Sequence, residues 1–231
     1  MERYSVIENK RKREIVLLRG NGCAYKACTF CDYHIDGGGD EKANFEINRQ
    51  ALELVTGIYS ELEVINSGSV FELDKNTLAL IHEVCEQKNI RTLHFESHYM
   101  YEKRIPELRR EFDGITLKLK LGLETFDYDF RERVLKKGIK ERDPERIALN
   151  FDEANFLFGI SGQTAESMQT DIELGLKYFE RICVNIMCEN STPVKPDGEV
   201  IREFMTEVYP LYKDDERVDI LIQNTDFGVG D

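Results

Sequence analysis

The sequence predicts an α/β fold built on parallel strands, and three observations lead there. Short β-type runs alternate with helical stretches, seven strands to six intervening helices. Such alternation argues for parallel strands joined by crossover helices. The 231 residues suffice for one large domain, and no linker, repeat or low-complexity tract divides them. Polar and small residues also collect at the carboxyl ends of the strands, where ligands gather in parallel α/β folds. A partial or closed barrel and an open doubly wound sheet both fit, and one domain over residues 1–231 is expected.

The elements follow in order. "EIVLLRG" at 14–20 is a strand, and the "KRKR" run at 10–13 is a solvated approach to it. "FEINRQALELVTGIY" at 45–59 has apolar residues at helical spacing. "LEVINSG" at 62–68 is a strand ending in small residues. The helix "DKNTLALIHEVCEQ" opens on Asp74 as N-cap. "RTLHFES" at 91–97 is the third strand, and Pro106 interrupts the first turns of the helix "YEKRIPELRREF". "ITLKLKLGLE" at 115–124 alternates with period two, a strong strand signal. "DYDFRERVLKKG" reads as a helix stopped by Gly138. After the strand "ANFLFGI" at 154–160, the helix "TAESMQTDIELGLKYF" offers Thr164 and Ser167 as caps. "ICVNIMC" at 182–188, the helix "DGEVIREFMTEVYPLY" and a last strand "VDILIQNT" at 218–225 complete the series.

Composition narrows the function. Apolar residues make up 41% of the chain, enough for a sizeable core. Thirty-one basic against 44 acidic side chains give a net charge of −13, which disfavours a nucleic-acid partner held through phosphate contacts. No apolar run approaches the ~18 residues of a membrane span. The start "MERYSVIENKRKREIVLL" lacks a signal-peptide apolar core, so no membrane partner is expected. Six cysteines are too few for a disulfide scaffold, and a cytoplasmic protein with reduced thiols is expected.

The chemistry concentrates in "GCAYKACTFCDYH", directly after the first strand. Cys23, Cys28 and Cys31 stand there in a C-x4-C-x2-C spacing, and three thiolates on one loop can converge on a metal centre. Cys85, Cys183 and Cys188 lie in or beside helical and strand patterns and read as core residues. Zinc could take the three thiolates plus His34. A plant-type 2Fe–2S site needs a fourth cysteine, and the next is the helical Cys85. A 4Fe–4S cluster on three cysteines leaves one iron open, which suits catalysis.

Here the sequence resembles the radical S-adenosylmethionine (SAM) superfamily, whose usual motif is C-x3-C-x-aromatic-C after the first strand of a partial (β/α)6 barrel. Phe30 fills the aromatic position, and the loop carries one extra residue. Three further segments resemble the branch acting on tRNA modifications: "INSGSVFEL" after the second strand, "LGLETFDYDFRERVLKKG" at the fourth, and "FGISGQTAESMQTDIELGL" at the fifth. The resemblance implies a partial (β/α)6 barrel with a short C-terminal strand extension, a 4Fe–4S cluster on Cys23, Cys28 and Cys31, and SAM as the second cofactor. It implies an enzyme that cleaves SAM to a 5′-deoxyadenosyl radical, with a flavodoxin or ferredoxin as electron donor. It places Phe30, Ser67, Gly68, Ser69, Glu124 and Ile160 toward SAM. Gly68 lets the backbone approach the amino acid moiety, Ser67 and Ser69 hydrogen-bond it, and Glu124 accepts from ribose hydroxyls.

The acidic charge and the lack of a basic RNA-binding domain favour a small substrate over tRNA. Within the branch, the chain resembles the small, stand-alone queuine lyases, which release 7-aminomethyl-7-deazaguanine from the base queuine. Another small-molecule radical reaction, a tRNA-modifying one and a non-catalytic zinc-binding module are the alternatives. A buried 7-deazaguanine base must have its polar edge matched, since one unmatched group costs about 1–3 kcal/mol. Asp226 is the expected acceptor for the ring N–H and the amine, Asn224 the partner of the carbonyl, and His98 that of the cyclopentene hydroxyls.

Overall fold

β2 (Arg13–Leu18) is buried along all six of its residues. The computed structural model, which describes residues 2–223, makes it the starting strand of a parallel ladder. Continuous burial is what a strand covered on both faces requires, and "REIVLL" supplies it. The described residues fall into two compact units. One runs to Lys26 and resumes over Tyr33–Leu119, and the other comprises Ala27–Asp32 and the chain from Lys120 onward.

In the first unit, β1 (Tyr4–Ile7) pairs antiparallel with β2, placing Tyr4 opposite Val16. β3 (Glu61–Asn66) and β4 (Thr92–Ser97) follow in parallel, with Val16 beside Val64 and Val64 beside Phe95. The crossovers are α1 (Glu41–Leu52) and α2 (Lys75–Gln87). Asp40 caps α1 and Asp74 caps α2, each carboxylate accepting two backbone N–H groups of the first turn. α3 (Ile105–Glu111) follows a 3-10 turn over Tyr99–Arg104, with Pro106 in its first turn.

β5 (Thr116–Glu124) starts in the first unit and ends in the second. There β6 (Glu153–Phe158), β7 (Arg181–Ile186) and β8 (Val218–Leu221) continue in parallel order. α4 (Pro144–Ala148), α5 (Ala165–Tyr178), and α6 (Gly198–Glu203) with α7 (Tyr209–Tyr212) connect them. The core of this unit is aromatic, with Phe156, Phe158 and Phe204 fully buried. Thr164 caps α5 by accepting from Ser167 N–H, and Ser167 Oγ accepts from Thr164 N–H, a reciprocal box. No helix among the described residues is long and apolar enough to cross a membrane.

Three local expectations are corrected. β1 was not expected, because "YSVI" is short and carries only an edge strand's alternation. The helix expected at 127–138 is only a five-residue π turn, Phe130–Val134. Arg131 is wholly buried and donates to the carbonyls of Thr125, Ile139 and Glu141, which folds the segment around its guanidinium instead of along an axis. The "KRKR" run is a solvated approach only in part, with Lys12 exposed and its arginines engaged. Arg13 is the buried first residue of β2 and pairs with Glu63, and Arg11 pairs with Glu61. In the second unit Arg181 bridges Glu153 (3.0 Å) and Asp219 (2.7 Å). The strand starts are thus closed by ion pairs, and the opposite ends carry the polar turns.

Candidate active site

In the first unit the site grows from the end of β3. Ser67, Gly68 and Ser69 turn the chain into a 3-10 turn at Val70–Glu72. The Glu72 carboxylate reaches back to accept from Ser69 N–H (2.6 Å), Ala24 N–H (2.6 Å) and the Tyr101 hydroxyl (3.1 Å). One side chain therefore ties the Ser-Gly-Ser turn to the start of the cysteine loop. Burial, and then Glu72 itself, pushes the Tyr101 phenol up to about 12, so it keeps the proton it donates. A Cβ on Gly68 would stand 2.0 Å from Glu72 Oε2 and 3.3 Å from Cys23 Cα, so glycine is what lets these parts close up.

Ser67 Oγ donates to Asp36 Oδ2 (3.0 Å), and Ser69 Oγ accepts from His98 N–H (2.8 Å). Ser67 retains lone pairs and Ser69 its proton, so each can make a further bond. His98 follows β4, and its Nδ1 accepts from Met100 N–H (3.1 Å), which puts the ring proton on Nε2. Its ring stacks on Tyr25 with centroids 4.4 Å apart. Half-buried Cys23 opens on a cavity of about 370 Å³ that Phe71 and Glu72 also line. The first unit thus brings Cys23, Ser67, Gly68, Ser69 and His98 together.

The second unit holds the rest of the loop. Its segment Ala27–Asp32 is pinned from two sides. Thr29 N–H donates to Leu135 O (3.1 Å) and Thr29 Oγ1 to Val134 O (2.5 Å). Asn190 Nδ2 donates to Phe30 O (2.7 Å), while Ser191 N–H (3.0 Å) and Oγ (2.9 Å) donate to the Asp32 carboxylate. The Phe30 ring packs on a cluster of Leu135, Leu157, Ile160 and Met187. Ile160 N–H donates to Gln163 Oε1 (3.0 Å), and Gln163 Nε2 to Leu157 O (2.9 Å), so the "GISGQT" turn is closed by its own glutamine.

Glu124 ends β5 with φ +72°, a left-handed conformation that side chains other than glycine seldom adopt, and the ladder shifts register between Gly122 and Glu124. Its carboxylate receives a hydrogen bond from Lys137 Nζ at 2.7 Å, both side chains being buried. The ammonium also lies 5.5 Å from the Phe30 ring centroid. Burial lowers the Lys137 pKa, but Glu124 and then the Cys28 and Cys31 thiols raise it more, and the net is above the usual lysine range. Gly122 makes the room: a Cβ there would stand 2.9 Å from Lys137 Nζ.

Among the described residues no three histidine, cysteine, aspartate or glutamate side chains gather closely enough to hold a single metal ion. A cubane meets its thiolates at separate corners and asks for a wider set. The chemistry of the donors suits such a cluster: Cys23 in the first unit and Cys28 and Cys31 in the second are half-buried, unbridged thiols, and the last two raise the pKa of the buried Lys137 ammonium in their own unit. Cys85 and Cys183 are buried in the core, where desolvation pushes the Cys85 thiol up to about 12. Cys188 spends its thiol on Ile186 O. Asn224 and Asp226 lie outside the described residues. Sequence reasoning missed Glu72 and Lys137. The Ser69-x-x-Glu72 spacing of a capping box was the available signal for the first, whereas the second carries no motif.

No protein-family model matches the chain, and no curated protein does. Among solved structures, queuine lyase from Clostridium spiroforme bound to SAM and queuine is 45% identical, with 100% of both chains covered and a TM-score of 0.94. SuiB from Streptococcus suis matches at 14% identity over 91% of this chain and 50% of its own, with a TM-score of 0.58. SuiB bound to its precursor peptide SuiA gives 15%, 89% and 48%, with a TM-score of 0.53. The two SuiB structures share the fold alone. The first likeness spans both chains end to end and carries the predicted fold class, a partial (β/α)6 barrel of the radical SAM type with β8 as its C-terminal strand extension. On that full-length identity the chain is an enzyme belonging to the queuine lyase family of the radical SAM superfamily.

Proposed function

We propose that this enzyme converts queuine to 7-aminomethyl-7-deazaguanine, using SAM and a 4Fe–4S cluster. The 45% identity to a queuine lyase with SAM and queuine bound is the observation that carries the reading. When bound, SAM and the cluster together supply a 5′-deoxyadenosyl radical able to take a hydrogen atom from the substrate.

The chain's own residues hold and orient. Cys23, Cys28 and Cys31 ligate the cluster, and the Lys137 ammonium offsets the charge their thiolates bring. The Ser67–Gly68–Ser69 turn, held by Glu72, receives the amino acid moiety of SAM. Glu124 accepts from the ribose, since pairing one oxygen with Lys137 leaves a carboxylate further lone pairs. Phe30 and Ile160 give that side of the site an apolar wall, which excludes water from a radical. His98, with its proton on Nε2, donates to a substrate oxygen, and Asn224 and Asp226 read the base edge. We assign the electron supply to a flavodoxin or ferredoxin, the setting to the cytoplasm and the function to a single radical SAM core domain, without tRNA as partner.

The test is anaerobic reconstitution with iron and sulfide, followed by incubation with SAM, reductant and queuine. Release of 7-aminomethyl-7-deazaguanine with 5′-deoxyadenosine is expected. Formation of 5′-deoxyadenosine with queuine left intact assigns the radical to another substrate and overturns the reading.

A further inference from the structure

Among the buried carboxyls that the mechanism above leaves unused, Asp171 is the one that lies against the segment following Glu124. Asp171, in the middle of α5, is only 4% exposed. Arg131 is the cation near it, but the guanidinium donates to the carbonyls of Thr125, Ile139 and Glu141. The Asp171 side chain is aimed at the turn that leaves β5. Asp171 Oδ1 accepts from Phe126 N–H at 2.7 Å, and the carboxyl is also hydrogen-bonded by Thr125, whose Oγ1 in turn accepts from Asp127 N–H (3.0 Å). The two residues it grips directly follow Glu124, the residue held at φ +72°.

A strained backbone persists only where its surroundings over-determine it. Here one side is fixed by the β5–β6 ladder, which shifts register just before Glu124. Arg131 Nη1 binds Thr125 O from the other side at 3.0 Å. The remaining group on this turn is Asp171.

We propose that Asp171 is a positioning residue for SAM: it clamps the Thr125–Phe126 backbone and so keeps the Glu124 carboxylate at the angle needed to receive the ribose. The inference rests on the assignment of Glu124 to SAM and adds the device that aims it. Burial pushes Asp171 up to about 7. The charged groups facing it are Asp127, which pushes the same way, and Arg131, which opposes it. An ionised acceptor makes the stronger hydrogen bond, so the clamp tightens as pH rises through that value. Stability has the opposite sign. The folded-state pKa is raised above the usual aspartate value, so the contribution to stability is full below about 4 and is lost as pH rises through about 7. Function and stability therefore pull this residue in opposite directions.

The test compares Asp171→Asn, Asp171→Ala and Glu124→Gln in the cluster-loaded protein, reading SAM affinity by titration, turnover and thermal unfolding from pH 6 to 8.5. The asparagine keeps an acceptor for Phe126 N–H but never ionises. It is expected to unfold at higher temperature than the native protein at pH 8, yet to bind SAM about tenfold more weakly there, with a Michaelis constant for SAM raised more than kcat is lowered. Its SAM affinity should also lack the rise between pH 6 and 8 that is expected of the native protein. Asp171→Ala, which orphans Phe126 N–H, is expected to lose both stability and affinity. If Glu124→Gln binds SAM weakly while Asp171→Asn binds as the native protein does at every pH, the positioning role is overturned and the assignment of Glu124 stands. If Glu124→Gln itself binds SAM normally, that assignment fails and the clamp with it.

Discussion

Burial separates the three loop cysteines from Cys85 and Cys183, whereas Cys188 is half-buried as they are and is set apart by the hydrogen bond its thiol makes to Ile186 O. Cys85 is 1% exposed and its thiol is held protonated, whereas Cys23, Cys28 and Cys31 are half-buried on a loop that hydrogen bonds fix in place. Alanine at position 28 is expected to abolish iron loading, and Cys85→Ala to leave it unchanged. Iron and sulfide counts after reconstitution decide this, and full loading of Cys28→Ala would refute the ligand set. The burial of Cys85 and Cys183 was legible in the sequence, because placement within a periodic segment is a sequence property, but Cys188, read as a core residue as well, is half-buried. Glu72 was not singled out. Nothing in its own neighbourhood says that its carboxylate will reach Ala24 N–H, 48 residues earlier in the chain. Its partner Ser69, three residues before it, was the only local sign.

β5 and the segment after it show where element-level reading succeeds and where it stops. Period-two alternation located the strand, and its end at Glu124 was read to the residue. The following stretch has apolar and charged residues at helical spacing, yet it folds around Arg131, a residue type that ordinarily stays in water. Pattern rules assume that an arginine marks the solvent face, so a fully buried one inverts the reading. The same segment returns Lys137 to Glu124, and that pair is open to measurement. Lys137→Met leaves a buried carboxylate without its cation and is expected to cost about 3–5 kcal/mol of unfolding free energy. Adding Glu124→Gln should recover most of that loss while SAM binding stays impaired. Chemical denaturation of the single and double variants checks it, and equal stabilities of Lys137→Met and the native protein would contradict the pairing.

At the level of the molecule, the alternation of strands and helices carried the fold, because each βαβ unit is legible from its own periodicities. The strand starts did not announce themselves. Arg13, Glu63, Glu153 and Arg181 are charged letters in apolar runs, and only the register of neighbouring strands brings them into pairs. Net charge, in contrast, needs no fold. At −13 the protein is expected to form no sub-micromolar complex with tRNA at physiological salt. Filter binding or fluorescence anisotropy with bulk tRNA measures this, and a tight complex would restore a tRNA substrate.

β1 has a bearing on how the protein behaves in crowded solution. Its four residues cover one side of β2, a strand whose apolar "IVLL" is buried throughout. Arg3 latches the cover, donating to Leu17 O (3.1 Å) and pairing with Asp36 (2.8 Å). An uncovered β2 would offer a row of unsatisfied amides and carbonyls beside apolar side chains, which is a template for joining another chain. The short leading strand therefore works as a shield against self-association. A variant lacking residues 2–8 is expected to scatter light at concentrations where the full chain stays clear, and to do so increasingly as it is concentrated. If the shortened protein stayed as clear as the full chain, β2 would need no shield, and the leading segment would serve only to hold Asp36 beside Ser67 through Arg3.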